Sequence, residues 1–453
     1  MHDAHERSSS STATENPEKW NIAQIYPVVP GQLYFTAHAT REQTIWEIAW
    51  HPELFFCSTI EPESYRGYCK DFGPTDLAGV VSFCRSIRTL RKDPRLLGRP
   101  VAYYTDTDSE TLANVAFLFG AYLVLVEGKS PEDAAAPFSR IQPSPFKAFR
   151  DATHVESDFD LSILDCLRGS SRASRAGFFD LETFDVEQFT RDDVLGLSVM
   201  CPKFVAFKGP VSGKDRPSFA LQPEAYLDRF QELGVSDVVR LNDASKYDRQ
   251  VFVEAGMRHR EMKFTDCTAP PLPIVQEFLE VCSDASGVVA VHCLAGLGRT
   301  GTLIALHLMG KHRWSARETI GWLRIVRPGS VVGTQQHFLV SVETAQRREA
   351  DAGHAAPPTH SDPPLGKHVA AAGASQAVPE RSEREAEIAG VRAQQVTDGL
   401  AQRAPRDSFG RARSGEGQHD SSARARRGEV QHDSVARARS VEGYPAHKKS
   451  PPP

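Results

Sequence analysis

The residues best suited to covalent chemistry lie in one short stretch, VHCLAGLGRTG, at residues 291–301. Cys293 opens a run of small residues, and Arg299 follows six positions later. An apolar segment precedes the run and a helix-like pattern follows it, which predicts a loop between a strand and a helix. Backbone N–H groups and the helix dipole converge on such a loop, so it favours an anion.

These residue types predict phosphoryl transfer to sulfur. We expect Cys293 to be a reactive thiolate in the field of the loop amides, and Arg299 to bind two phosphoryl oxygens through its guanidinium fork. Water then cleaves the phosphocysteine. Thr300 is predicted to donate a hydrogen bond to the sulfur, and His292 to order the loop from behind. The residues expected to bind phosphate or support the loop are His292, Leu294, Ala295, Gly296, Leu297, Gly298 and Thr300.

A serine or threonine alkoxide leaves slowly unless an acid protonates it. Asp266, in a strand that runs into a Pro-containing loop, is the predicted acid, and the alternative is a turn residue at a strand end. Downstream, Gln335 and Gln336 are predicted to position the hydrolytic water, with surface turn residues as the alternative.

Composition narrows the class of protein. The eight cysteines form no CxxC pair and no metal-type spacing, so we expect free thiols, no metal and no cofactor. Residues 346–453 carry 17 Lys/Arg and 14 Asp/Glu, which leaves a net charge of −8 for residues 1–345. An acidic core disfavours nucleic acid and suits basic peptides. The longest apolar run, residues 115–126, is too short to span a bilayer, so we expect an intracellular protein.

Two kinds of repetition occur along the chain. Residues 406–444 repeat with a period of thirteen within a low-complexity tail, which is typical of disorder, with a weak basic docking or targeting function as the alternative. The second is a strand-loop-helix unit: VAYYT aligns with VAVHC and places Thr105 at the position of Cys293 and Thr111 at that of Arg299. This indicates a duplication whose first copy lacks the reactive residues, although any two α/β units share such a pattern.

Several segments, in order, resemble the cell division cycle 14 family of dual-specificity protein phosphatases over about residues 20–345. They include KDFGPTDLAGV, GFFDLETFDVEQF, PKFVAFKGP, FTDCTAP, VHCLAGLGRTGTLIA and RPGSVVGTQQHFL. The resemblance implies an α/β fold with two tandem dual-specificity-phosphatase-like domains joined by a linker helix. The expected parts are a disordered N-terminus (1–20), a domain without a nucleophile (21–176), an acidic linker helix (177–200), a catalytic domain (201–345) and a disordered tail (346–453).

The resemblance also implies a function. It predicts hydrolysis of phosphoserine and phosphothreonine, and of phosphotyrosine in vitro, at sites followed by proline and a nearby basic residue. The partners would be phosphoprotein substrates of proline-directed cell-cycle kinases, in the nucleus, nucleolus, cytoplasm or at spindle poles. Acidic linker residues Asp180, Glu182 and Asp185 would line the substrate groove.

Two positions depart from the family pattern. Leu294 stands where a lysine is common, and Cys267 stands where a glycine is usual. Loss of the lysine makes the loop less electropositive, and a Cys267–Cys293 disulfide after oxidation is a hypothesis. A phosphoinositide phosphatase and a phosphoprotein-binding scaffold without turnover are the alternative functions.

Overall fold

A computed structural model describes residues 18–96, 98–213, 220–353, 368–369 and 372. The chain forms two α/β halves, each with a mainly parallel sheet and helices packed against it. No helix within these residues is both long enough and apolar enough to cross a membrane.

The first half is built around an apolar helix, Ser109–Leu125, that is buried over most of its length because it has no polar face. In its sheet, the strand order is β2-β3-β5-β4, with β2 antiparallel to its neighbour. The elements are β1 (Glu18–Lys19), β2 (Tyr26–Val29), β3 (Leu33–Ala37), α1 (Arg41–Trp50), β4 (Phe55–Cys57), α2 (Leu77–Lys92), β5 (Val101–Thr105), α3 (Ser109–Leu125), α4 (Pro131–Ser139), β6 (Ile141–Gln142) and α5 (Ile163–Arg175).

The acidic segment between the halves contains less helix than we expected for residues 177–200. Only α6, Val186–Val194, is helical, because Asp185 caps its N-terminus by accepting a hydrogen bond from the Gln188 N–H. Before it, Asp180 accepts backbone hydrogen bonds in a turn, and after it the chain enters a strand at Leu197.

The second half places its central strand between two parallel neighbours, in the order β10-β9-β11-β8-β7, with β7 antiparallel at one edge. The carboxyl end of a central parallel strand is the usual place for a ligand site in such sheets. The elements are β7 (Leu197–Cys201), β8 (Phe204–Phe207), α7 (Leu227–Glu232), β9 (Val235–Arg240), α8 (Gln250–Glu254), β10 (Arg258–Glu261), α9 (Leu272–Asp284), β11 (Val288–His292), α10 (Gly298–His312), α11 (Ala316–Val326) and α12 (Thr334–Gly353).

The halves meet where α5 packs on α11 at very short range. A Cβ at Gly169 would lie 2.5 Å from the Glu318 carbonyl oxygen, and one at Gly321 would lie 3.1 Å from the Asp165 carbonyl oxygen. Small residues at both positions therefore let the two backbones approach. Buried side chains of both halves, including Phe119 of α3 and Trp322 of α11, form one continuous hydrophobic core.

Parts of both segments that we expected to be disordered have regular secondary structure. Residues 18–19 form β1, which pairs with β6, and the Trp20 ring stacks on Tyr26 with centroids 5.3 Å apart. At the other end, α12 continues to Gly353, past the expected boundary at residue 345. Residues 1–17 and the thirteen-residue repeats lie outside the described residues.

Candidate active site

The predicted loop joins β11 to α10. Cys293 follows the last residue of the strand and is 3 % exposed, and Arg299 lies in the first turn of the helix and is 5 % exposed. Gly296 has a φ of +71°, and a Cβ there would collide with the Phe207 carbonyl. A glycine is therefore required for the loop to turn this tightly against β8.

The carbonyl groups of the loop all accept hydrogen bonds from the surrounding protein. Because the carbonyls are held in this way, the N–H groups of the loop can face its concave side. The donors are His292 Nδ1 to Cys293 (3.0 Å), the Gly209 N–H to Leu294 (3.0 Å), Arg327 Nη2 to Ala295 (3.0 Å), Arg327 Nε to Gly296 (2.8 Å) and the Gly301 N–H to Leu297 (2.9 Å).

The loop N–H groups have no such partners. Within the described part of the chain, no backbone or side-chain acceptor binds the N–H groups of residues 294–299, and α10 has no side-chain cap at Leu297. A helix N-terminus with free N–H groups and a favourable dipole binds anions. The loop therefore provides a cradle for a tetrahedral oxyanion above Cys293.

Arg299 links this cradle to the segment that carries Asp266. Its Nη1 donates to the carbonyl oxygens of Leu241 and Phe264, at 3.0 Å each. Its Nε lies 3.0 Å from Asp266 Oδ1, although the pair is not aligned as a hydrogen bond. The Asp266 side chain is 37 % exposed, so the predicted acid lies beside the arginine at the mouth of the site.

Cys267 follows Asp266 with a φ of +56°, a left-handed conformation that favours glycine. Although the residue as a whole is exposed, desolvation of its thiol and the adjacent Asp266 charge raise the pKa of Cys267 to about 12. Such a thiol stays protonated near neutral pH, and the thiolate is the attacking form in disulfide chemistry. The reversible disulfide between Cys267 and oxidised Cys293 stays a hypothesis.

His292 lies behind the loop, as the sequence predicted. It is fully buried, and its Nε2 lies 2.7 Å from the Tyr247 hydroxyl, which in turn lies 2.8 Å from His259 Nε2. Burial lowers the pKa of His292 to about 3, so the imidazole is neutral at pH 7. A neutral ring donates from Nδ1 to the Cys293 carbonyl and accepts at Nε2 from the tyrosine.

The two predicted glutamines point in different directions. Gln335 is fully buried beside the loop: a Cβ at Gly298 would lie 2.8 Å from its Oε1, and its Nε2 donates to the Thr268 carbonyl at 3.2 Å. Gln336 instead accepts from Arg324 Nη2 at 2.5 Å and takes no part in the loop. Consecutive helical side chains diverge by about 100°, which explains the difference.

Thr300 does not make the predicted hydrogen bond to the cysteine sulfur. Its Oγ1 is buried and has no hydrogen-bond partner among the described residues.

The predicted groove carboxylates make local contacts in the structure, and their place in a substrate groove stays a prediction. Asp180 accepts from the Glu182 and Thr183 N–H groups, Asp185 caps α6, and Glu182 pairs with Arg88. Asp180 and Glu182 line a cavity of about 1170 Å³ in the first half that includes none of the loop residues.

Tyr68 of the first half lies beside the turn that leads into α12. Burial, together with Asp193 and Asp71, raises the pKa of Tyr68, whose ring is 2.9 Å from where a Cβ on Gly329 would lie. Gly329 belongs to the turn that leads into α12, beside the loop support formed by Arg327.

Arg327 was not identified from the sequence. It is 3 % exposed, holds two loop carbonyls, and also donates to Ser198 Oγ of β7 at 3.0 Å. The available signal was an arginine in the mainly apolar segment WLRIVRPGSVV, because a buried arginine requires several acceptors.

Two family models match this chain. The family model "Dual specificity protein phosphatase, N-terminal half" matches residues 27–173, and "Dual specificity phosphatase, catalytic domain" matches residues 224–346. No group of side chains suited to a metal ion occurs among the described residues.

Three relatives illustrate the likeness. Mouse "Dual specificity protein phosphatase CDC14A" is 38 % identical over 314 residues, covering 68 % of this chain and 51 % of the relative. Mouse "Dual specificity protein phosphatase CDC14B" is 35 % identical over 351 residues, covering 76 % and 71 %. "Tyrosine-protein phosphatase CDC14" of Saccharomyces cerevisiae is 34 % identical over 300 residues, covering 63 % and 54 %. The chain thus spans about half the length of mouse CDC14A, and it belongs to the CDC14 family of dual specificity protein phosphatases.

Proposed function

We propose that this chain hydrolyses phosphoserine and phosphothreonine in proteins, and phosphotyrosine in vitro, through a phosphocysteine intermediate. The observation that carries the proposal is the set of N–H groups of residues 294–299, which have no acceptor among the described residues, next to the buried Cys293 and with Arg299 in the first helical turn. Donors fixed in this way stabilise the charge that develops on a transferring phosphoryl group.

In the first step, the Cys293 thiolate attacks phosphorus, so a P–S bond forms as the P–O bond to the substrate breaks. Arg299 and the loop N–H groups bind the non-bridging oxygens. Asp266 donates its proton to the departing serine or threonine oxygen, which would otherwise leave as a costly alkoxide.

In the second step, water attacks the phosphocysteine and the P–S bond breaks. Asp266, now a carboxylate, accepts a proton from that water, and Gln335 orients the water. Gln335 supports this role by its position: it donates to the Thr268 carbonyl, two residues after Asp266, and its side chain lies beside Gly298 of the loop that follows Cys293. Inorganic phosphate leaves and the thiolate is restored.

We further propose a preference for phosphoserine followed by proline with a basic residue nearby. The net charge of −8 over residues 1–345 attracts basic peptides. The physiological substrates would be phosphoproteins made by proline-directed cell-cycle kinases. Location at the nucleus, nucleolus or spindle poles stays an expectation of the family.

The test compares hydrolysis of a pSer-Pro-x-Lys peptide, a phosphotyrosine peptide and an inositol phospholipid. We expect turnover of the first that falls about 10⁴-fold or more in Cys293→Ser. Thr105→Val, at the corresponding position of the first half, is the matched control and keeps full activity. Peptide turnover at the Cys293→Ser background would contradict the proposal in favour of a binding scaffold, and faster lipid turnover would indicate a phosphoinositide phosphatase.

A further inference from the structure

Asp151 of the first half has a buried carboxylate that binds the turn before Gln335 and Gln336 in the second half. Asp151 is 3 % exposed and lies in the loop after Phe149. Its Oδ2 accepts from the Gly333 N–H at 2.7 Å and from Gln336 Nε2 at 3.3 Å. These hydrogen bonds join residues 182 and 185 positions apart in the chain.

The turn that receives Asp151 is conformationally demanding. Val331 and Gly333 have φ values of +62° and +55°, and the first of these is costly for a β-branched residue. Such a backbone persists only when its surroundings hold it. Asp151 binds the Gly333 N–H directly, two residues before Gln335.

The carboxylate is itself fixed by its neighbours. Thr153 Oγ1 donates to Asp151 Oδ1 at 2.8 Å, which orients the other oxygen toward the turn. Arg324, fully buried, donates to the carbonyls of Ser330 and Val331 and to Gln336. Burial lowers the pKa of Arg324, and the Asp151 carboxylate opposes this shift more strongly than any other nearby group.

We infer that Asp151 is a positioning residue for the hydrolysis step: it fixes the turn that carries Gln335 and so places the attacking water. This inference rests on the proposed function. It assigns the first half a task in the second chemical step. The first step depends on Cys293, Arg299 and Asp266, and none of these three forms a hydrogen bond with Asp151 in the described residues.

The kinetic signature follows from the two-step scheme. A change that slows only hydrolysis lets phosphocysteine accumulate, so kcat and KM fall together and kcat/KM is unchanged. A change that merely loosens the fold lowers kcat/KM as well. The split between the two constants therefore separates positioning from general destabilisation.

The experiment uses the full chain and 4-nitrophenyl phosphate in rapid mixing. For Asp151→Ala we expect a pre-steady-state burst of one 4-nitrophenol per site, a kcat lower by about ten- to a hundredfold, and an unchanged kcat/KM. Acid-quenched samples should contain phosphorylated Cys293 by intact mass. Asp151→Asn keeps an acceptor oxygen for the Gly333 N–H, so it should recover most of the lost kcat.

Asp158→Ala is the matched control. Asp158 comes from the same part of the first half and pairs with His337 Nε2 at 3.0 Å, next to Gln336 but on the exposed side of α12. We expect wild-type kinetics from this variant. An equal loss of kcat and kcat/KM in Asp151→Ala, an unchanged kcat, or the same burst in Asp158→Ala would overturn the inference.

The failure of the proposed function has a different result. A wild-type chain without a burst and without turnover would refute the phosphatase mechanism itself. A wild-type chain that turns over, together with a folded Asp151→Asn variant that shows no rescue relative to Asp151→Ala, would overturn only the role of Asp151.

Discussion

The two halves of the molecule use the same strand-loop-helix unit in opposite ways. In the first half, β5 leads to α3, and Asp108 caps that helix by accepting from the N–H groups of Glu110 (3.1 Å) and Thr111 (2.9 Å). In the second half, β11 leads to α10, which has no side-chain cap. One helix start is neutralised by its own carboxylate, and the other is left open to an external anion.

The comparison shows that the same strand-loop-helix unit can begin its helix with or without a side-chain cap. Thr105 and Thr111 stand at the positions of Cys293 and Arg299, and the Thr111 hydroxyl donates to the capping Asp108 at 3.2 Å. A helix needs only that its first N–H groups are satisfied, by a side chain or by a ligand. Under the proposed function, phosphoryl oxygens take the place at α10 that the Asp108 carboxylate has at α3.

The largest effect should come from the acid that only the second half carries. Asp266→Ala should lower kcat/KM on a phosphoserine peptide by about 10²- to 10⁴-fold, because the alkoxide then leaves without a proton. The loss on 4-nitrophenyl phosphate, whose leaving group is a weak base, should be much smaller. Asp243→Ala, which removes an exposed carboxylate paired with Lys263, is the control. Equal losses on both substrates would argue against Asp266 as the acid.

A smaller loss of activity should follow from loosening the loop between Cys293 and Arg299. Arg327→Lys removes the fork that holds the Ala295 and Gly296 carbonyls, so the N–H groups lose their fixed direction. We expect kcat/KM to fall about tenfold and inhibition by inorganic phosphate to weaken in parallel. Arg347→Lys, on the exposed face of α12, is the matched control. Unchanged phosphate inhibition would show that the loop holds its shape without Arg327.

The smallest effect should come from uncapping the first half. Asp108→Ala should lower the free energy of unfolding by about 1 kcal/mol, because two helix N–H groups lose their acceptor. Denaturant unfolding measures this loss, and Asp108→Asn should retain most of the stability. Turnover should stay at the wild-type value in both variants. A large loss of activity would show that the two helix starts are not independent.

The local part of the site was predictable from the sequence. Small residues after Cys293, followed by helical periodicity, specify a strand-loop-helix unit within eleven residues, so Cys293, Arg299 and Gly296 were found without the structure. The bond between Arg327 and Ser198 spans 129 residues and leaves no local pattern. The same holds for the link from Asp151 to Gly333, at a separation of 182 residues.

Charge alone does not decide what the linker carboxylates do. The family resemblance led us to expect Asp180, Glu182 and Asp185 in a substrate groove. In the structure two of them close a turn or cap a helix and the third pairs with Arg88, and the groove role stays a prediction. Aspartate is favoured at such positions for local reasons that are independent of any ligand. A sequence cannot distinguish a carboxylate that pairs within the protein from one that binds a ligand. For Glu182 the distinction requires the position of α2, which supplies its partner Arg88.

The shared core has a consequence for any separation of the two halves. Phe119 and Leu167 from one half and Trp322 and Leu323 from the other belong to the same buried cluster. A gene fragment that encoded only the second half would expose this apolar surface to water and to other chains. Because both halves bury side chains in this one cluster, neither half can be removed without exposing apolar surface of the other.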